Sequence, residues 1–135
     1  MNDGATQDAS QLLAALRFGS DGLIPAVAQQ HDSGEVLMLA WMNRDAVLET
    51  LKSGRICYWS RSRQQLWRKG ESSGHVQRLM ELRVDCDGDA LLVLVDQSGV
   101  ACHTGTRSCF LRAVRNGALV ENQKPSGAVA PGETR

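Results

Sequence analysis

Turn-forming residues divide this chain into short apolar segments. Four of these segments are rich in β-branched or aromatic residues, as strands are: 55–59, 76–84, 90–95 and 109–114. Two further apolar stretches, 23–29 and 35–41, flank His31-Asp32-Ser33-Gly34, whose residues favour a chain reversal. We therefore expect a β-hairpin and a mainly antiparallel sheet.

Two helices are expected to pack on this sheet. A candidate N-cap at Ser10 precedes a segment, 10–16, whose leucines share one helical face. Asn43 and Gly54 bracket a second amphipathic segment, 45–51, as a cap and a stop signal. At 135 residues the chain can bury one core. The sequence thus predicts an α+β fold, with a mainly antiparallel sheet and one or two packed helices in a single small domain.

Charge and hydropathy exclude several classes of function. Fifteen basic residues balance fifteen acidic ones, which argues against a nucleic-acid partner. No apolar run approaches the ~20 residues of a membrane span, and no secretion signal precedes the first segments. We expect a cytoplasmic protein without a membrane partner. In that compartment the four cysteines remain thiols, and they serve as ligands, nucleophiles or core residues.

Three cysteines, Cys86, Cys102 and Cys109, lie within one short region. Three thiolates without a fourth nearby fit a catalytic zinc site better than a structural one, because catalytic zinc keeps a position for water. Spacing alone leaves buried apolar cysteines equally open, since no C-x-x-C pair is present. Their polar neighbours favour the metal. Cys57, between Ile56 and Tyr58, is interpreted as a core residue.

Three aspartates, Asp85, Asp87 and Asp89, alternate around Cys86. An extended backbone would project all three carboxylates to one side. An EF-hand is excluded because its sixth position is Ala90 rather than glycine. The pattern favours magnesium, and the alternative is a solvated acidic turn.

The segment 58–75 combines basic residues, glycines, hydroxyls and two tryptophans. Such a segment could hold phosphate and stack on a base. It lacks the spacing of a Walker loop. The alternative, favoured by composition alone, is a solvated basic loop with core tryptophans.

Five blocks in order, within residues 23–114, resemble one family. They read LMLAWMN at 37–43, YWSRSR at 58–63, LWRKGESSG at 66–74, DCDGD at 85–89, and ACHTG at 101–105 with SCF at 108–110. The chain is similar to phosphoribosyl-AMP cyclohydrolase, which hydrolyses the N1–C6 bond of 1-(5-phosphoribosyl)-AMP. That ring opening gives the phosphoribosyl-formimino imidazole carboxamide ribotide, the third step of histidine biosynthesis.

The resemblance implies one zinc per subunit on Cys86, Cys102 and Cys109, and magnesium on Asp85, Asp87 and Asp89. It also implies a homodimer with the zinc and the active sites at the subunit interface. The substrate-binding candidates are the conspicuous polar and aromatic residues of segment 58–75: Trp59, Arg61, Arg63, Trp67, Lys69, Gly70, Glu71, Ser72, Ser73 and His75.

His103, next to Cys102, is the candidate for proton transfer, because its unperturbed pKa of about 6.5 suits either direction near neutrality. Alternatively, it only orients a zinc ligand.

Domain boundaries follow from the same blocks. We expect an N-terminal helical segment at 1–19, a cyclohydrolase domain at 20–115 and a flexible tail at 116–135, too short to form a second domain. Two rival functions conflict with the sequence. A zinc nucleobase deaminase needs H-x-E and P-C-x-x-C, which are absent. A non-enzymatic zinc module that binds nucleic acid conflicts with the balanced charge and the missing fourth ligand.

Overall fold

The computed structural model describes residues 2–102 and 105–121 of the chain. Two helices and eight strands follow one another in this order: α1 Asn2–Ala15, β1 Ile24–Gln30, β2 Val36–Met42, α2 Arg44–Ser53, β3 Cys57–Ser60, β4 Gln65–Arg68, β5 Gln77–Val84, β6 Leu91–Gln97, β7 Arg112–Arg115 and β8 Ala118–Glu121.

Six strands form one sheet in the order β4-β3-β2-β1-β6-β5, and β7 pairs with β8 in a separate hairpin. Every pairing in the large sheet is antiparallel except that of β1 with β6. The sheet curls, because the Leu79 N–H donates to Gly54 O at 2.8 Å and the Ile56 N–H donates to Gln77 O at 2.9 Å. These bonds tie β5 to the segment that enters β3. The expected α+β fold with a mainly antiparallel sheet is confirmed.

The local signals for the first hairpin and the second helix are confirmed. Strands β1 and β2 pair from Ile24↔Met42 onward. Asn43 caps α2 by accepting a hydrogen bond from the Ala46 N–H at 2.8 Å. Gly54 ends this helix in the left-handed region, with φ 77°.

The core lies between α2 and one face of the sheet. Alternate residues of β1 and β6 are buried while their neighbours are half-buried, so each strand turns one full face to the core. Helix α2 contributes Ala46 and Val47, both fully buried. Cys57 is also fully buried, as expected of a core residue.

Four expectations on secondary structure are wrong in detail. Helix α1 begins at Asn2, so Ser10 lies inside it and is not its cap. Strand β4 occupies part of the segment interpreted as a basic loop. Strand β7 begins at Arg112, three residues later than expected. Strand β8 lies in the segment expected to be a flexible tail, and residues 122–135 of that tail lie outside the described residues.

None of the helices in the described part of the chain is long and apolar enough to cross a membrane.

Candidate active site

A cavity of about 840 Å³ opens between β4, the turn at 69–75 and the loop at 100–109. Eight of the ten predicted substrate-binding residues line it: Arg63, Trp67, Lys69, Gly70, Glu71, Ser72, Ser73 and His75. Two of the predicted zinc ligands, Cys102 and Cys109, line it as well. The other two substrate-binding candidates, Trp59 and Arg61, line a separate cavity.

Gly70 fixes the shape of the 69–75 turn. Its φ of 81° is unfavourable for a residue with a side chain, and an added Cβ would collide with the backbone of His75 and Val76. The turn is closed by the Gly74 N–H, which donates to Gly70 O at 2.8 Å. Only glycine lets the two sides of this turn approach each other, and the turn places Ser72 and Ser73 on the cavity wall.

The loop at 99–109 carries both cavity cysteines and folds on itself. The Cys102 N–H donates to Thr106 O at 3.1 Å, and the Ala101 N–H donates to Arg107 O at 3.0 Å. The Cys109 N–H donates to Leu37 O at 2.6 Å, which fastens the end of the loop to β2. This folding places Cys102 and Cys109 together on the cavity wall.

Arg107 holds the same loop against the sheet. Its guanidinium donates to Gln30 Oε1 at 2.9 Å and to Gly99 O at 2.8 Å, and it pairs with Glu35 at 3.3 Å. The Ser108 hydroxyl adds a bond to Val36 O at 2.7 Å. These contacts join the loop to β1 and β2, so the sheet determines where the two cysteines lie.

The two thiols share a hydrogen bond, and the environment of Cys109 disfavours its thiolate. Desolvation, the neighbouring Cys102 charge and the shared hydrogen bond raise the pKa of Cys109 to about 11, although the Lys69 ammonium acts in the opposite direction. A pair of sulfur donors on a cavity wall has the chemistry that zinc prefers. These two cysteines therefore fit as part of a zinc site.

Lys69 is buried and its ammonium is already engaged. Its Nζ donates to Ala101 O at 2.8 Å and lies 5.6 Å from the centre of the Trp67 ring. Desolvation lowers the pKa of Lys69, while the charges of Cys109 and Cys102 oppose that shift. In this arrangement Lys69 braces the cysteine loop.

Cys86 and the three aspartates lie far from this cavity. They form the turn between β5 and β6, while the cavity segment is bonded to the opposite ends of those strands, near Gln77 and Gln97. Strand β5 spans the seven steps from Gln77 to Val84, roughly 23 Å at 3.3 Å per residue. Within the described residues, no three histidine, cysteine, aspartate or glutamate side chains are close enough to hold a metal. One copy of the chain therefore does not assemble the predicted three-cysteine site.

The backbone from Asp85 to Asp89 is a turn, so the expected extended arrangement of the carboxylates is wrong. Gly88 has φ 78°, and an added Cβ would meet Ala15 O of the neighbouring helix. Asp85 Oδ1 accepts hydrogen bonds from the N–H groups of Asp89 at 3.0 Å and Ala90 at 3.3 Å. The turn is built on this side chain.

Two of these carboxyl groups shift each other's pKa. Desolvation would raise the pKa of Asp85, but hydrogen bonds from Asp89 and the turn backbone outweigh it and hold the pKa below its usual value. The pKa of Asp89 is raised, first by its hydrogen bond with Asp85 and then by the charges of Asp85 and Asp87. A cation beside this pair would favour the ionised form of Asp89.

His103, the proton-transfer candidate, lies outside the described residues.

A buried hydrogen-bond chain behind the cavity was not predicted. The Tyr58 hydroxyl donates to Gln77 Oε1 at 2.7 Å, and Gln77 Nε2 donates to Gln97 Oε1 at 2.7 Å. Burial, and next the charge of Cys109, raise the pKa of Tyr58, so its hydroxyl stays protonated. The alternation of β6 could have identified Gln97, because it shares the buried face of Leu91, Val93 and Val95.

Comparison with known proteins agrees with this geometry. The family model of phosphoribosyl-AMP cyclohydrolase matches residues 38–111, which include the whole lining of the large cavity. The chain belongs to the phosphoribosyl-AMP cyclohydrolase family. A phosphoribosyl-AMP cyclohydrolase of Rhodospirillum centenum is 71% identical over 108 residues, which cover 80% of this chain and 81% of the relative.

Two other relatives carry the same family name. Phosphoribosyl-AMP cyclohydrolase 2 of Pseudomonas fluorescens is 71% identical over 80% of this chain and 74% of its own length. The Paracoccus denitrificans protein is 64% identical over 84% of this chain and 96% of its own length. The predicted family is confirmed, and the relatives are hydrolases of the histidine pathway.

Proposed function

We propose that this chain opens the purine ring of 1-(5-phosphoribosyl)-AMP by hydrolysis of its N1–C6 bond, in the cytoplasm. The observation that carries the proposal is the large cavity, where a cysteine pair lies beside arginine, serine and histidine side chains in a region matched by the family model. The sulfur donors suit a metal that activates water, and the polar side chains suit the phosphate and ribose groups of the nucleotide.

Cys102 and Cys109 would hold one zinc ion per subunit, with Cys86 as the third ligand. When bound, zinc supplies Lewis acidity that makes water a nucleophile near neutral pH. Because Cys86 lies at the far end of β5 in the same chain, we propose that the third ligand comes from the Cys86 of a second copy. The metal and the active sites would then lie at the interface of a homodimer.

The β7–β8 hairpin supports a partner subunit. Among the residues that the structure describes it pairs with no further strand, and an isolated two-stranded hairpin is marginally stable in water. Its paired residues Val114 and Leu119 are 70% and 62% exposed. Burial of such side chains against a second copy would stabilise the hairpin.

Asp85, Asp87 and Asp89 would hold magnesium when the turn that carries Cys86 joins the zinc site of the second copy, because in one copy these carboxylates are not grouped closely enough to hold a metal. Carboxylate oxygens are the donors that this ion prefers. A cation would favour the ionised form of Asp89, whose pKa is raised first by its hydrogen bond with Asp85 and then by the charges of Asp85 and Asp87. Magnesium keeps several waters and favours phosphate or hydroxyl ligands, so its role would be to orient substrate oxygens.

Side chains of the large cavity would bind and orient the nucleotide. Arg63, Ser72 and Ser73 offer donors to phosphate oxygens, and Trp67 offers a ring face to the base. His103 would deliver the proton that lets N1, rather than the exocyclic nitrogen, leave C6.

Subunit complementation tests the shared zinc site. Cys86→Ala and Cys102→Ala variants should each be inactive, whereas random mixing of the two would leave one intact site in each mixed dimer. The mixture should recover about a quarter of the wild-type rate of phosphoribosyl-AMP hydrolysis. Mixing Cys102→Ala with Cys109→Ala is the matched control, because those changes lie on the same side of the interface and should recover nothing. Equal recovery in both mixtures would contradict the shared site.

A further inference from the structure

A second cavity, of about 620 Å³, lies beside the turn between β3 and β4. Three segments contribute its wall: Asp21, Gly22 and Leu23; Asn43, Arg44 and Asp45; and Trp59, Arg61 and Gln64. It shares no lining residue with the large cavity.

Four arginines line the two cavities: Arg44 and Arg61 the second cavity, and Arg63 and Arg68 the large one. Four arginines pair with a carboxylate: Arg68 with Glu49, Arg78 with Asp96, Arg83 with Glu81 and Arg107 with Glu35. Among the described residues, Arg44, Arg61 and Arg63 make no ion pair, and all three line a cavity. Their charges remain available to an anion.

Arg61 is held in place without using its guanidinium for an ion pair. The guanidinium lies 4.8 Å from the centre of the Trp41 ring. Its carbonyl accepts a hydrogen bond from Gln64 Nε2 at 2.7 Å. Gln64 itself adopts φ 55°, an uncommon conformation for glutamine, and its N–H donates to Ser60 O at 2.8 Å. The hydrogen bonds thus fix the backbone of the turn, and the contact with Trp41 positions the Arg61 guanidinium before any ligand binds.

The same turn separates the two cavities. Arg61 and Gln64 line the second cavity, whereas Arg63 and Gln65 line the large one. A molecule that crosses this turn would meet one unpaired arginine on each side.

We propose that the second cavity binds one of the two phosphoribosyl groups of the substrate, while Arg63 holds the other phosphate in the large cavity. The proposal rests on the proposed function, because 1-(5-phosphoribosyl)-AMP carries two phosphate monoesters at opposite ends of the molecule. Arg44 and Arg61 bind the phosphate through charge-assisted hydrogen bonds. The carboxylates of Asp21 and Asp45, on the same wall, accept hydrogen bonds from the ribose hydroxyls. Arg44 thereby becomes a substrate-binding residue outside the basic segment at 58–75.

Steady-state kinetics of single variants tests the assignment. Arg44→Gln and Arg61→Gln should each raise KM for phosphoribosyl-AMP by about tenfold and change kcat by less than about twofold, because the phosphate is held equally in the ground and transition states. Arg55→Gln is the matched control: Arg55 is exposed, makes no ion pair among the described residues and lines neither cavity. Its KM should stay at the wild-type value.

Double variants distinguish two phosphate sites from one. The Arg61→Gln/Arg63→Gln double variant should raise KM by the product of the two single increases, because the two arginines hold different phosphates. The Arg44→Gln/Arg61→Gln double variant should raise KM by less than the product of the two single increases, because both arginines hold the same phosphate.

Three results would overturn the inference. A wild-type KM in both single variants would overturn it while the proposed function stands, and so would strong coupling between Arg61 and Arg63. Wild-type protein that does not turn over phosphoribosyl-AMP would overturn the proposed function and this inference together.

Discussion

Replacing Gly70 with alanine should destabilise the protein and weaken substrate binding, and Gly74 offers a matched comparison within the same turn. The two glycines have nearly the same backbone conformation, with φ 81° and 82°. At Gly74 an added Cβ meets no atom within 4 Å, whereas at Gly70 it collides with the His75 carbonyl and the Val76 nitrogen. The pair therefore separates the cost of backbone conformation from the cost of the collision.

The expected magnitudes follow from these contacts. Both variants lose about 1–2 kcal/mol of unfolding free energy, because an L-residue is strained in the left-handed region. Gly70→Ala loses about 1–3 kcal/mol more, since a packed backbone must move to admit the methyl group. The displaced peptide belongs to His75, which lines the cavity. The KM of the Gly70→Ala variant for phosphoribosyl-AMP should therefore also rise.

Urea unfolding followed by circular dichroism gives the free energies, and the change in absorbance as phosphoribosyl-AMP is hydrolysed gives KM. We expect Gly74→Ala to keep the wild-type KM. Equal destabilisation of the two variants, with an unchanged KM in both, would refute the account of this turn.

Three other changes should have separable effects. Cys102→Ala should abolish zinc retention in anaerobic metal analysis, whereas Cys57→Ala should keep the metal; full activity in Cys102→Ala would rule out its role as a ligand. Tyr58→Phe should cost about 1–3 kcal/mol of unfolding free energy, because it leaves Gln77 Oε1 buried without its donor. A stability equal to the wild type would show that this hydrogen bond contributes nothing. Asp87→Asn should raise the magnesium concentration needed for half-maximal activity and leave zinc content unchanged, and a wild-type magnesium requirement would remove Asp87 from the magnesium site.

Local signals in the sequence predicted those elements that local interactions determine. Asn43 and Gly54 bound a helix because each satisfies backbone groups at its end. Strands β4 and β8 were missed because their residues are mostly exposed and become strands through pairing with β3 and β7. The parallel pairing of β1 with β6 joins segments more than sixty residues apart, such as Ala26 and Leu91, and leaves no local pattern.

The candidate site was predicted as a set of residues but not as an arrangement. The ordered blocks identified most of the large cavity, including Cys102 and Cys109. The alternation of aspartates predicted an extended backbone from Asp85 to Asp89, and this was wrong. The Asp85 side chain accepts two backbone hydrogen bonds and holds the chain in a turn. Arg61 and Arg63 line different cavities because of the backbone path of the turn between β3 and β4, which composition does not reveal.

Product analysis with phosphoribosyl-AMP tests the proposed reaction most directly. The zinc-loaded wild-type protein, supplied with magnesium, should convert the purine to the opened imidazole carboxamide, seen by absorbance and by mass as the addition of one water. No ammonia should appear, because N1 leaves C6 while the exocyclic nitrogen stays. Ammonia released in proportion to the substrate consumed would instead establish a deaminase and contradict the account.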